Sequence, residues 1–389
     1  MKRRYAILEA PSALGHVAEH LGVERAPGVL LEAGLADGLD ARRAGCLPAS
    51  GYSSVPDPRT KVMNPQPLHD YSISLAGEVE ALLGNGEFPV VLGGDCSLLL
   101  GTMLALRRRG RYGVLYVDGD ADFYQPEVNP LRGAASASDL AFATGRGPDI
   151  VCDLEGRRPL VRDDDVTVLA CRDAGDRERR GCQPLPRDML ILDRDHVRQA
   201  GAGNAARQAV AFLTRRGGPD GFWIHLDADV FDQTIMQSVD DPRPDGLTWD
   251  DGIAILRTAL ASSRAAGLQV AIYNPEIDKD GSKRPRAGRR RTKRARLIAP
   301  GPAMLARRAA SGGLAGPAVR FAPFTSMAAA IELRQQAVRR ICAGRPGAGN
   351  GRCWATLARS RREGQPRPLA APRAGVRRRG SADRAAPRR

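Results

Sequence analysis

The sequence predicts an α/β protein with a central parallel sheet, followed by a basic C-terminal segment of different character. Short apolar runs typical of buried strands alternate with segments of helical periodicity. Three of these runs end in clusters of Gly and Asp, at the strand ends where α/β proteins place their functional groups. After residue 281 the alternation fades and Arg, Ala, Gly and Pro dominate. We therefore expect one folded domain over 1–281 and a disordered low-complexity segment over 282–389.

The individual elements are predicted from apolar spacing and from the turn residues between them. Gly84 is a candidate helix C-cap, and Asp95 or Ser97 is a candidate start of the next helix. The predicted strands cover 5–8, 88–92, 113–117, 166–170, 189–192, 222–226 and 268–273. The predicted helices cover 71–83, 98–108, 205–215 and 248–266, and 45–68 is a predicted loop rich in Gly, Pro and Ser.

The net charge of +15 is unevenly distributed along the 389 residues. The segment 282–389 holds 28 Lys and Arg against 3 Asp and Glu, whereas residues 1–281 hold 31 basic and 41 acidic residues. The segment is therefore either a tail without a function of its own or a nucleic-acid tether. No aromatic residues interleave its basic runs to stack on bases, so we favour the first interpretation.

The seven cysteines are scattered, with no CxxC pair, which is typical of reduced thiols in a cytoplasmic protein. The basic N-terminus lacks the sustained apolar core of a signal peptide. No apolar run approaches 18 residues, so we expect no transmembrane helix and no membrane partner.

Clustered aspartates at three strand ends predict a metal site. The clusters are Gly93-Gly94-Asp95-Cys96-Ser97, Asp118-Gly119-Asp120-Ala121-Asp122 and Asp227-Ala228-Asp229-Val230-Phe231-Asp232. So many converging carboxylates need a cation to offset their repulsion, and oxygen ligands suit Mg²⁺ or Mn²⁺. If the strands continue in extended form, alternate aspartates project to one side, together with His225. Bridging carboxylates then hold two cations about 3.5–4 Å apart and supply hydroxide from a bridging water.

Simpler interpretations of single clusters exist. Aspartates also cap helices and stabilise turns, and one such cluster alone would favour that explanation. An EF-hand loop counted from Asp118 would need Gly and Glu where Phe123 and Asn129 stand. Three clusters at three strand ends favour a metal site.

The three motifs resemble those of the arginase/agmatinase/formiminoglutamase family, the ureohydrolases, which read Gly-Gly-Asp-His-Ser, Asp-Ala-His-x-Asp and Asp-x-Asp-x-x-Asp. The resemblance covers roughly residues 5–280. It implies a three-layer arginase-like fold and a homo-oligomer, commonly a trimer or hexamer. It also implies two Mn²⁺ per subunit, whose bridging hydroxide hydrolyses a carbon–nitrogen bond of a linear amidine or guanidino compound.

The resemblance also assigns metal ligands. It implies one metal on Cys96, Asp118, Asp122 and Asp227, and a second on Asp118, Asp120, Asp227 and Asp229. Asp118 and Asp227 would then bridge the two ions. Asp95 and Asp232 would support the ligands without binding metal themselves.

Several positions depart from the family pattern. Cys96 and Asp120 replace the two family histidines, which makes the ligand set more negative and, if Cys96 ligates, draws one site toward Zn²⁺ or Fe²⁺. Ser136 or no residue aligns with the family's proton-shuttling His, and Ile272 stands at the guanidinium-binding Glu, with Glu276 nearby. These departures favour an alternative, a weak or inactive homologue that binds metal in a structural or regulatory role.

Two residues are candidates for catalysis outside the metal ligands. His225 alternates with Asp227 and could orient a ligand or shuttle protons, and Glu276 could substitute for the missing Glu. The remaining histidines are interpreted as surface or helix residues with other partners: His16, His20, His69 and His196.

Overall fold

The computed structural model describes residues 3–277, so the predicted disordered segment 282–389 lies outside the described residues, and the domain boundary at 281 stays a prediction. Eight parallel strands form the sheet, in the order β2-β1-β3-β8-β7-β4-β5-β6. The strands are β1 (Tyr5–Ala10), β2 (Arg42–Cys46), β3 (Phe88–Gly93), β4 (Tyr112–Val117), β5 (Val166–Leu169), β6 (Leu190–Leu192), β7 (Gly221–Asp227) and β8 (Ala265–Ala271).

Helices connect these strands and cover both faces of the sheet. They are α1 (Ala26–Glu32), α2 (Leu35–Leu39), α3 (Pro65–Gly84), α4 (Leu98–Arg109), α5 (Asp139–Ala143), α6 (Asp149–Cys152), α7 (Ala174–Arg179), α8 (Arg194–Ala200), α9 (Ala202–Leu213) and α10 (Trp249–Ala261). No helix within residues 3–277 is long and apolar enough to cross a membrane.

Two apolar cores, one on each face, give the fold three layers. Val117 and Leu226 point into the core beneath α9 and α10. Tyr116 and Trp223 point into the core beneath α3 and α4. Neighbouring residues alternate between the two cores because side chains alternate across a strand. The predicted α/β fold with a central parallel sheet is confirmed.

Several predicted boundaries are wrong. The helix predicted over 248–266 ends at Ala261, because Ser262 takes an extended conformation and β8 starts at Ala265. The predicted loop 45–68 overlaps the end of β2, and α3 already begins at Pro65. Gly84 is the last residue of α3 and Asn85 is its C-cap, while Gly86 takes the left-handed turn.

A close approach of two backbone segments shapes the turn after β3. A Cβ added at Gly94 would lie 1.6 Å from the carbonyl oxygen of Ser12, so only glycine fits there. The amide of Asp95 in turn donates to that carbonyl at 3.1 Å. This contact fixes the direction in which the chain leaves β3 and delivers Cys96.

Candidate metal centre

Two neighbouring strands bring the second and third aspartate clusters together. β4 and β7 pair in parallel, with Val117 opposite Leu226. The next residue of each strand is therefore an aspartate, Asp118 and Asp227, at the same level of the sheet. Cys96 arrives from the turn after β3, and its Sγ lies 2.7 Å from Asp227 Oδ2.

The chain turns after each strand and does not continue in extended form. Asp118 Oδ1 accepts a hydrogen bond from the amide of Asp120, and Asp227 Oδ1 accepts one from the amide of Asp229, both at 2.7 Å. Asp122 has a left-handed φ of 44°. The expected extended alternation is therefore wrong, and two similar side-chain-to-backbone turns bring the carboxyl groups together instead.

The two turns also contact each other. The amide of Gly119 donates to Asp229 Oδ1 at 3.2 Å, and a Cβ at Gly119 would lie 2.8 Å from that oxygen. Arg172 Nη2 donates to the carbonyl oxygen of Asp229 at 2.8 Å. We call the resulting group the acidic floor, and it consists of Cys96, Asp118, Asp120, Asp122, Asp227 and Asp229.

Burial and mutual repulsion disfavour the charged forms of the acidic floor. Burial raises the pKa of Asp118 to about 7. Burial, then neighbouring carboxylates, raise the pKa values of the other four aspartates well above their ordinary value. The pKa of Cys96 is raised in the same way, so it is a thiol that donates to Asp227. The ligand set is thus less negative than a thiolate would make it.

A divalent cation fits this site. The ligand atoms of Cys96, Asp118 and Asp227 lie within 4.8 Å of one another, and Asp118 Oδ2 has no hydrogen-bond partner. A cation there would offset the repulsion that raises the carboxyl pKa values and would give the orphaned oxygen a partner.

His225 is held by a chain of buried hydrogen bonds. Gln269 Oε1 lies 2.9 Å from Trp223 Nε1 and 2.7 Å from Thr102 Oγ1. The indole N–H of Trp223 only donates, so this atom of Gln269 must be the oxygen. The amide nitrogen of Gln269 therefore donates to His225 Nδ1, at 2.8 Å.

This chain fixes the tautomer of His225. Because Nδ1 accepts, the proton of the neutral ring is on Nε2, which lies 3.5 Å from Asp118 Oδ2. Burial lowers the pKa of His225 to about 3, so the ring is neutral near pH 7. A protonated Nε2 cannot bind metal, so His225 faces the acidic floor as a donor.

A cavity of about 430 Å³ opens above the acidic floor. One part of its lining, which we call the mouth, consists of His16, His20, Asp240, Asp241 and Arg243. Ser136 and Ile272 also line the cavity. Ile272 has a left-handed φ of 62°, which is strained for a β-branched residue.

Five predicted site residues lie outside this cavity's lining: Asp118 and His225, described above, and Asp95, Asp232 and Glu276. Asp95 accepts from the amides of Gly15 and Ser97, at 3.1 and 2.9 Å, and so holds the turn before Cys96. Asp232 accepts from Thr234 Oγ1 at 2.6 Å. Glu276 pairs with the exposed Arg25 at 3.0 Å and does not line the cavity.

Sequence reasoning missed several residues of the site. His16 was expected on the surface or in a helix, but it is buried and lines the cavity with His20. Asp139 was missed because it begins α5 and follows no strand; its Oδ1 lies 2.9 Å from Tyr116 Oη, which also contacts Asp122 at 2.8 Å. The Ser-Asp pair opening a helix was the only local signal.

Known proteins resemble this chain in sequence and in fold. Human arginase-1 is 28% identical over 291 residues, which cover 71% of this chain and 87% of the relative. The structure of arginase from Bacillus caldovelox matches with a TM-score of 0.62 and 22% identity, covering 71% of this chain and 93% of the other. Agmatine ureohydrolase from Thermoplasma volcanium matches with a TM-score of 0.52 and 17% identity, covering 71% and 83%.

A parallel α/β sheet with clustered carboxyl groups at the carboxyl ends of its strands is one arrangement that metal-dependent hydrolases use. The model of the arginase family matches residues 3–295. The chain therefore belongs to the arginase family, whose members hydrolyse carbon–nitrogen bonds of guanidino compounds.

Proposed function

We propose that the acidic floor holds two Mn²⁺ ions and that the chain hydrolyses a linear guanidino or amidino compound. Asp118 and Asp227 bridge the ions in this proposal. Cys96 and Asp122 complete one site, and Asp120 and Asp229 complete the other. The observation that carries the proposal is the convergence of five carboxyl groups at one sheet edge with raised pKa values.

When bound, the ions would lower the pKa of a coordinated water molecule, which would supply a nucleophile near neutral pH. The residues around the floor orient its ligands. His225 Nε2–H faces Asp118, and Arg172 holds the carbonyl of Asp229. Burial lowers the pKa of His225 to about 3, and a ring that is neutral near pH 7 suits a positioning residue.

Oxygen ligands favour Mn²⁺, whereas Cys96 pulls one site toward Zn²⁺ or Fe²⁺. The Cys96 thiol must lose its proton to bind a metal, and burial beside Asp227 makes that loss costly. We therefore infer Mn²⁺ as the principal metal.

The cavity supports a small cationic substrate. Its volume of about 430 Å³ lies in the range of small-molecule sites. Seven aspartates line the cavity against two arginines, Arg180 and Arg243, and this excess of acidic groups favours a guanidinium or amidinium group. We further propose a cytoplasmic homo-oligomer, because five described cysteines are free and arginase relatives resemble this domain over most of their length.

Metal content of the full chain tests the proposal. After incubation with excess Mn²⁺ and desalting, we expect about two Mn²⁺ per chain, as in other two-metal hydrolases. Asp118→Asn/Asp227→Asn should lose both ions. The matched variant Asp232→Asn should retain them, because Asp232 bonds to Thr234 outside the cavity lining. The absence of bound Mn²⁺ from the wild-type chain would overturn the proposal.

Turnover separates the proposed enzyme from an inactive relative. The loaded protein is assayed with arginine, agmatine, guanidinobutyrate and formiminoglutamate for release of urea, ammonia or formamide. Ile272 lines the cavity where the family motif has Glu, which is the observation that favours inactivity. Bound Mn²⁺ without turnover of any of these would support the second candidate, a metal-binding homologue with a structural or regulatory role.

A further inference from the structure

A second group of metal-binding side chains lies at the mouth of the cavity. His16, His20 and Asp240 offer ligand atoms that lie within 4.8 Å of one another. They come from the loop after β1 and from the loop between β7 and α10. None of them belongs to the acidic floor.

Polar atoms of this group lack partners. Asp240 Oδ1 and His20 Nδ1 are buried and make no hydrogen bond. The side chain of Asp240 is only 8% exposed, and its other oxygen pairs with His16 Nε2. A buried carboxylate oxygen and a buried imidazole nitrogen without partners are costly unless a ligand satisfies them.

His16 is oriented as metal-binding imidazoles usually are. Its Nδ1 lies 3.2 Å from Ser136 Oγ, which can accept the ring proton and leave Nε2 free to ligate. Tyr52 Oη donates to the carbonyl oxygen of His16 at 3.1 Å. The ring and the backbone of His16 are therefore both held in place.

Asn274 fixes the two segments that carry the other members. Its side-chain amide donates to the carbonyl of His20 at 3.0 Å, and its backbone amide donates to the carbonyl of Ser238 at 2.7 Å. Asn274 is fully buried. Asn274 therefore restrains the positions of His20 and Asp240 relative to each other. This restraint lowers the entropy cost of ordering the site when a cation binds.

We propose that His16, His20 and Asp240 form a separate binding site for a single divalent transition-metal cation such as Zn²⁺. Two imidazole nitrogens and one carboxylate oxygen suit Zn²⁺, whereas the acidic floor offers mainly oxygen. The cation takes the place of the proton between His16 and Asp240 and links the loop after β1 to the loop before α10. None of its ligands is a proposed Mn²⁺ ligand, so its test does not depend on the function proposed above.

Zn²⁺ binding to full-length variants tests the site. The parent is Asp118→Asn/Asp227→Asn, which removes the bridging ligands of the acidic floor. Equilibrium dialysis with Zn²⁺ and metal analysis are performed on the parent, on the parent with His20→Ala and on the parent with His196→Ala. His196 bonds to Gln208 on an exposed surface and serves as the matched control.

We expect His20→Ala to raise the Kd of one Zn²⁺ by about tenfold or more, since even residues behind metal ligands contribute 10–100-fold. His196→Ala should leave binding unchanged. Equal Zn²⁺ binding by the two variants would overturn the proposal. Any Zn²⁺ that binds to cysteines binds equally to both variants, so it does not affect the difference between them.

Should the parent not fold, judged by circular dichroism, the same histidine variants are made in the wild-type chain. Mn²⁺ is bound first and Zn²⁺ is then titrated. The same difference between His20→Ala and His196→Ala is expected, and its absence would again refute the site.

Discussion

The acidic floor and the mouth of the same cavity differ in how their carboxylates are neutralised. At the mouth, Arg243 pairs with Asp241 and with Asp176, the latter at 3.0 Å, and His16 pairs with Asp240. In the acidic floor, Arg243 approaches Asp120 at 3.3 Å, but the bridging candidates Asp118 and Asp227 have no arginine within salt-bridge distance among the described residues. The chain's own cations neutralise most carboxylates of the mouth, whereas Asp118 and Asp227 in the acidic floor lack such a partner, and the proposed metal ions would supply it.

The largest expected effect is on the turn that brings Cys96 to the acidic floor. Gly94→Ala places a methyl group 1.6 Å from a backbone oxygen, which side-chain movement cannot relieve. We expect it to lower the free energy of unfolding by about 4 kcal/mol or more, measured by urea denaturation. Gly77→Ala is the control: its Cβ meets open space on α3, so a gain of about 0.5–1 kcal/mol is expected. Equal stability of the two variants would show that the close approach is not rigid.

Metal affinity of the acidic floor should depend on a residue that touches none of its ligands. Gln269→Leu removes the donor that keeps the proton on His225 Nε2, and we expect the Kd for Mn²⁺ to rise about 10–100-fold. Gln208→Leu removes the matched partner of His196 and should leave the Kd unchanged.

The tautomer itself is measurable. The chain has 5 histidines, so nitrogen-15 NMR of the imidazoles can be assigned by single substitutions. We expect His225 to carry its proton on Nε2 in the metal-free wild-type protein. A proton on Nδ1 would contradict the hydrogen-bond chain from Trp223.

Charge in the acidic floor should set the pH at which the enzyme works. Asp120→His replaces a carboxylate by a neutral imidazole, so water on the metals becomes more acidic. A shift of about one pKa unit corresponds to roughly tenfold in rate at pH values below the optimum. We expect the pH–activity profile of Asp120→His to move to lower pH. The variant Asp120→Asn also loses the negative charge but gains no imidazole, so it shows the effect of charge alone. An unmoved profile in both variants would show that charge at residue 120 does not control the reaction.

At the mouth we expect an effect on stability that depends on pH. Burial lowers the pKa of His16, but Asp240 outweighs it, so the pKa is raised above its ordinary value. A raised pKa stabilises the fold below the unfolded value of about 6.5, and this contribution is lost as pH rises through the folded value. With chelator present, we expect Asp240→Asn to lower the free energy of unfolding by roughly 1.5–3 kcal/mol at pH 6 and by less at pH 9. A loss that is equal at both pH values would mean that His16 is not charged at pH 6.

The local pattern of the sequence was sufficient for the strands that build the site. Alternation of strands and helices indicated a parallel sheet, and neighbouring carboxyl ends made convergence of the Asp118 and Asp227 clusters predictable. The shape of the turns was not predictable, because each Asp-x-Asp segment can continue a strand or fold back on its own side chain. The structure shows the second outcome at Asp118 and at Asp227.

The sequence by itself determined the three-layer α/β class, the position of the aspartate clusters and the contrast between an acidic body and a basic C-terminal segment, because these depend on local periodicity and composition. Only the tertiary structure decided that His16 meets Asp240, that Gln269 orients His225 and that Glu276 turns to Arg25. Those contacts join residues 224, 44 and 251 positions apart, and no local pattern encodes which distant side chains share a buried volume.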